Sequence, residues 1–90
     1  MKNEAERKAF IKNEDNWQLI SNLGNVRTFE LSYKGFSFYR QEVLRGDGKW
    51  HRNFWYRLSL TGIAHKLDMR QFVGNLERID RGKPDQGGGR

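Results

Sequence analysis

The cleanest hydrophobic pattern in the chain lies at residues 53–60, where Phe54, Tyr56, Leu58 and Leu60 alternate with Asn53, Trp55, Arg57 and Ser59. A period of two is the signature of a strand with one buried face. The alternation predicts that the first four residues face the core. Trp55 and Arg57 then lie on the wetter face, with His51 sharing their parity. Upstream, residues 36–44 are rich in β-formers and set Phe36 and Phe38 on one face, and residues 26–31 predict another strand. Residues 17–20 predict a short extended segment, and 63–67 a final short strand.

Turn residues separate these runs. The stretch Ile-Ser-Asn-Leu-Gly-Asn-Val-Arg-Thr at 20–28 predicts a reversal, with Asn22 closing an Asx turn and Gly24 taking φ > 0. Tyr33, Lys34 and Gly35 form a turn candidate. Asp47 and Gly48 predict a type I′ hairpin, and Thr61–Gly62 a further tight turn. The Arg-Gly-Asp triplet at 45–47 is read as that hairpin turn rather than as an adhesion motif.

The period changes to that of a helix at both ends. Residues 3–13 predict a short helix capped by Asn3, with Glu4 and Glu6 at its positive end, Lys12 at its negative end and a thin stripe of Ala5, Ala9 and Phe10. Near the other end, Asp68 and Gln71 form a capping-box pair. Met69, Phe72, Val73, Leu76 and Ile79 follow at helical spacing, with Gly74 as a weak point or a close-packing site. Residues 81–90 carry no apolar side chain and predict a flexible tail. The expectation is one α+β domain over 1–80: an antiparallel meander of three to four strands, a short N-terminal helix, and a C-terminal helix packed on one face.

Charge narrows the function. The formal net charge is +6. Residues 26–66 hold Arg27, Lys34, Arg40, Arg45, Lys49, Arg52, Arg57 and Lys66 against Glu30, Glu42 and Asp47, and the rest of the chain is near balance. A cationic, aromatic-rich section fits a polyanionic partner. Mean hydropathy is −0.95 and no apolar run reaches bilayer length, so no membrane role is expected. Without a basic-then-apolar leader or any cysteine, a cytoplasmic protein is expected, with no disulfide or thiolate metal site.

Catalysis has little support. His51 and His65 are fourteen positions apart on different strands, with no ligand spacing around them. No glycine-rich loop precedes a helix, and no nucleophile motif occurs. No cofactor, metal site or catalytic residue is expected. Binding chemistry is better served. A twisted antiparallel sheet presents alternate side chains to a DNA groove or to phosphates. On that reading Arg27, Arg40, Arg45, Lys49, Arg52 and Arg57 contact nucleic acid and Trp55 stacks on a base or sugar, while Trp17 and Tyr56 fill the core.

The block at 20–28 also resembles the signature of the small modular DNA-binding domain found beside His-Asn-His homing endonucleases: Val/Ile-Ser-Asn-x-Gly-x-Val-Arg/Lys-Ser/Thr after an apolar or aromatic residue. Tyr56-Arg57-Leu58-Ser59-Leu60, Thr61-Gly62, residues 63–67 and Phe72-Val73 are similar to that module's second half, so the resemblance covers residues 17–76. It departs from the family at Asn13-Glu14-Asp15-Asn16, where Gly-Tyr-Glu-Gly is usual, and at residues 68–73, where His-Arg-Leu-Val-Ala is usual. These 90 residues hold no His-Asn-His nuclease motif, so the expectation is the binding module alone. The resemblance implies duplex DNA as partner, bound by a non-enzymatic module of a phage or mobile element. The competing reading is a protein-binding module, such as a phage-encoded inhibitor of a host enzyme, using Trp50, Trp55 and Tyr39.

Overall fold

The computed structural model describes residues 1–82. The predicted tail at 81–90 therefore lies outside the described residues from 83 onward. Five antiparallel strands form one sheet in sequential order: β1 (Trp17–Leu23), β2 (Val26–Tyr33), β3 (Phe36–Leu44), β4 (Trp50–Leu58) and β5 (Ala64–Leu67). Helix α1 (Glu4–Lys12) precedes the sheet, joined to it by a 3₁₀ turn (Glu14–Asn16), and α2 (Met69–Asp80) follows it. The α+β architecture is as expected, with five strands rather than three to four. The additional strand is β1, which runs on from Trp17 to Leu23.

That extension changes the first turn. Asn22 closes no Asx turn but pairs with Arg27 inside the ladder, and Leu23 pairs with Val26. The reversal contracts to Gly24 and Asn25, with Gly24 at φ +61° supplying the positive φ of a two-residue hairpin. Lys34 and Gly35, both at positive φ, make the next hairpin as a type I′ pair. The Asp-Gly turn differs from expectation. Asp47 has negative φ, and Arg45 and Lys49 close a three-residue loop in which Gly48 (φ +78°) alone takes the left-handed position. The Asp47 carboxylate accepts the Lys49 N–H at 2.9 Å, which favours this form over type I′. Ser59 and Ile63 close a loop of the same kind, again with glycine third.

Both helices pack on one face of the sheet. The core comprises Ile11 from α1, Trp17, Leu31, Phe38 and Trp55 from the sheet, and Phe72, Val73, Leu76 and Ile79 from α2. Phe72 is fully buried, with its ring 4.8 Å from Phe38, 5.7 Å from Trp55 and 6.1 Å from Trp17. Asp68 accepts the Gln71 N–H at 2.8 Å while Gln71 returns an acceptor to the Asp68 N–H at 2.9 Å, completing the predicted capping box. The first helix is held at Ile11, whose carbonyl accepts the Trp17 indole N–H at 2.7 Å. Ile11, absent from the predicted stripe, is the buried apolar residue of α1, and Arg7 is buried beside it.

This placement inverts the predicted faces of β4. Trp55 is only 8% exposed and belongs to the core, whereas Leu58 and Leu60 are 44% and 93% exposed. Tyr56, expected inside, lies on the sheet's other face. The alternation favours the set of Phe54, Tyr56, Leu58 and Leu60, since Trp55 is the one large apolar residue beside Asn53, Arg57 and Ser59, so the pattern points to the wrong face. Register decides: Trp55 pairs with Arg40 and Leu67, in the row facing the helices. A bulge also places Phe54 opposite Gln41 but Arg52 opposite Glu42, leaving Asn53 as the extra residue. The shift breaks parity, so His51 does not share the face of Trp55.

The far ends of both helices meet at Asp80. Its carboxylate receives Arg7 Nη2 at 2.9 Å, Lys34 Nζ at 2.9 Å and the Tyr33 hydroxyl. The Tyr33 hydrogen bond, reinforced by Lys34 and Arg7 and opposed by burial, holds the Asp80 carboxyl far below the usual carboxylate range. A depressed pKa contributes stability that is fully present above the unfolded value of about 3.9 and is lost as pH falls toward the folded one. Asp80→Asn should therefore lose roughly 1–3 kcal/mol at neutral pH and flatten the acid limb of the stability curve, as read by urea titrations between pH 2 and 7.

Gly74 has no close-packing role, since a Cβ built there meets nothing within 4 Å. Gly74→Ala should raise stability by about 0.5–1 kcal/mol in chemical denaturation, because it removes a mid-helix entropy cost without a clash.

Candidate nucleic-acid interface

The cations read from the sequence separate into three groups. Arg27 and Arg40 lie within the fold, on the helix-facing side. The Arg40 guanidinium sits 4.4 Å from the Phe29 ring and 4.9 Å from Trp17, and that of Arg27 sits 5.1 Å from Phe29 and 4.2 Å from Trp50. The result is a ladder, Trp17–Arg40–Phe29–Arg27–Trp50, running along β1 to β4. Glu42 binds both arginines, at 2.7 Å to Arg27 Nε and 3.0 Å to Arg40 Nε, and Glu14 grips Arg40 through two oxygens at 2.8 and 2.9 Å. The Arg40 side chain is 6% exposed. Ion pairing and stacking consume its charge, so Arg40 is structural rather than a phosphate ligand. Arg27 keeps partial exposure but shares Glu42.

The second group is at the β3–β4 hairpin. Arg45 and Lys49 flank the exposed loop, where His51 Nε2 lies 2.8 Å from Asp47 Oδ2. Arg52, also exposed, lays its guanidinium 3.9 Å above the Trp55 ring. Trp55 is thus covered by Arg52, packed edge-to-face with Phe72 and only 8% exposed, and offers no free face for a base.

The third group includes residues that sequence reasoning left out. Strand β5 and helix α2 bound a groove of about 460 Å³ whose cationic lining is Arg57, Lys66, Arg70 and Arg78, joined by His65. The carboxamides of Gln71 and Asn75 form part of its wall, and among the described residues no carboxylate lines it. Of these cations only Arg57 stands out in the sequence as a site residue. Arg70 and Arg78 are eight apart on α2, two turns along one face, with Gly74 between them. That stripe flanks the core stripe and was legible as a spacing. What the sequence lacked was the short β5 strand placed alongside it. Beyond Arg70, Glu4 and Glu77 line the adjoining groove between the helices, so the positive strip ends at α2.

Among the described residues, the opposite face of the sheet carries no helix. Its centre is aromatic: Tyr39 and Tyr56 pair across β3 and β4 and stack at 5.2 Å with 24° between planes, and Phe54 meets Tyr56 edge-on at 5.6 Å. Burial and the neighbouring Tyr39 push the Tyr56 phenol up, so it stays neutral and a hydrogen-bond donor at physiological pH. Lys66, paired with Tyr56 in register, holds its ammonium 4.8 Å from the Phe54 ring and also lines the basic groove. Lys66 therefore joins the two surfaces.

Among the described residues, no three potential metal ligands come together and no helix is long and apolar enough to cross a membrane. Comparison of the chain with protein-family models, with curated proteins and with solved structures finds no match.

Because Trp55 is a core residue, Trp55→Ala should cost about 3–5 kcal/mol of stability in denaturant titrations. A well-folded variant with near-parental stability would contradict the packing described here.

Proposed function

We propose that the protein is a non-enzymatic DNA-binding module that holds the phosphate backbone in the groove between β5 and α2. The observation that carries this reading is the convergence of Lys66, Arg70 and Arg78, with Arg57 beside them, on one groove that no carboxylate among the described residues lines. Like charges gathered in one groove raise the local potential and favour a polyanion. Arg45, Lys49 and Arg52 extend the positive surface at the hairpin end, outside the groove. Arg27 and Arg40 fall out of the contact set, because Glu42 and Glu14 neutralise them. The resemblance of residues 20–28 to a DNA-binding module of mobile elements points the same way, and in this reading those residues supply backbone geometry rather than contacts.

Counterion release makes the test quantitative. DNA affinity should fall steeply with salt, and each groove cation reversed should reduce the log–log slope by about one. Arg78→Glu and Arg70→Glu, read by fluorescence anisotropy from 50 to 300 mM salt, should each weaken binding to any DNA sequence. Salt-independent binding, or full affinity in the double variant, would rule the groove out.

A second reading rests on a separate observation. The outer edge strand β1 has no charged residue, and its Leu19, Ile20 and Leu23 are 47%, 48% and 77% exposed. An uncharged edge with apolar side chains suits strand addition by a protein partner. Capture from a nuclease-treated host lysate separates the two, since a protein partner survives the nuclease and a DNA-bridged one is lost.

A further inference from the structure

The open face of the sheet calls for a ligand of its own. Tyr39, Tyr56 and Phe54 form a half-buried aromatic row, and among the described residues no helix lies above them. Thr28 and Gln41 lie in the adjacent register row, and the Asn53 amide donates to Gln41 Oε1 at 2.8 Å. The row is electrostatically polarised. Across the sheet the pairing runs Glu30, Tyr39, Tyr56, Lys66, so an acid stands at the β2 end and a cation at the β5 end. The cation leads directly into the basic groove.

Width decides what form of nucleic acid suits such a face. Five strands at a spacing of about 4.8 Å measure roughly 19 Å across, whereas the major groove of B-DNA is about 12 Å wide and admits at most a two-stranded ribbon. The sheet cannot lay its open face on base edges in a duplex. Unpaired bases, by contrast, present π-faces that aromatic side chains stack against without sequence preference.

We propose that this face is a stacking platform for unpaired bases, so that the protein takes single-stranded nucleic acid across Phe54, Tyr56 and Tyr39 while the phosphates pass over Lys66 into the β5–α2 groove. The inference rests on the phosphate reading of that groove and adds the form of the ligand. Gln41 and Asn53 supply donors and acceptors for base edges beside the rings. Glu30 repels phosphate beyond Tyr39, which limits the platform to the few bases that fit between β3 and β5.

The test uses the full chain and a labelled 20-nucleotide DNA strand, alone and annealed to its complement, with anisotropy giving affinity and intrinsic fluorescence reporting stacking. The single strand should bind at least tenfold tighter than the duplex and quench tyrosine or tryptophan emission. Tyr39→Ala and Tyr56→Ala should each weaken single-strand binding by roughly 5- to 150-fold with the salt slope unchanged. Tyr39→Phe and Tyr56→Phe keep the ring and should retain most affinity, which separates lost stacking from lost folding. Duplex binding equal to single-strand binding, or alanine variants with full affinity, would overturn the platform while leaving the groove reading intact if Arg78→Glu still weakens both forms. No measurable binding of either form at low salt defeats both, whereas a protein partner captured through this face without nucleic acid overturns the platform alone.

Discussion

Phe72 is the residue on which the arrangement turns. The capping box at Asp68 starts α2 immediately after β5, so the first inward-facing ring of the helix must land near the middle of the sheet. It lands among Phe38, Trp17 and Trp55, and that choice settles which of the sheet's two aromatic-bearing faces is covered. A close-packed interior leaves little slack, and shifting a strand by one residue moves every side chain to the opposite face. Once Trp55 is committed to Phe72, Phe54 and Tyr56 have no alternative to the open side. Phe72→Ala would remove the contact common to all three partners.

The Trp17–Arg40–Phe29–Arg27–Trp50 ladder follows from the same commitment. Beyond the reach of the helices the covered face has no apolar lid. Stacked guanidinium groups serve instead, since they combine planar packing with charge that Glu42 and Glu14 neutralise. Arginine suits this position better than lysine, whose compact, strongly hydrated ammonium stacks less well. The consequence for function is a redistribution of positive charge. Two prominent central arginines turn inward, and the usable excess moves to the β5–α2 groove and the hairpin tip.

Two surfaces therefore coexist without competing: a basic groove at the short, charged edge of the sheet and a neutral aromatic platform on its open face, joined at Lys66. The contrast with the other edge is physical. Strand β5 is four residues long and carries His65 and Lys66, which guard it against strand addition. The seven uncharged residues of β1 leave the other edge unguarded.

Much of this was legible in the sequence. Local chemistry alone determined the two helices, the capping box, the glycine positions of the turns, and the existence of strands between them, because caps and turns are satisfied by neighbours within a few residues. Charge placement along the chain was equally plain, as was the aromatic wealth of residues 29–56. The tertiary structure alone decided which face those aromatics occupy. Phe54, Tyr56 and Trp55 are all apolar enough to be buried, and a period of two specifies two faces without naming the inner one. Only the register with β3, the bulge at Asn53 and the seating of Phe72 distinguish them. The same holds for the cations: their number is a property of the sequence, but whether a guanidinium meets a carboxylate, as Arg40 does, or lines a groove beside other cations, as Arg78 does, depends on residues brought together from far along the chain.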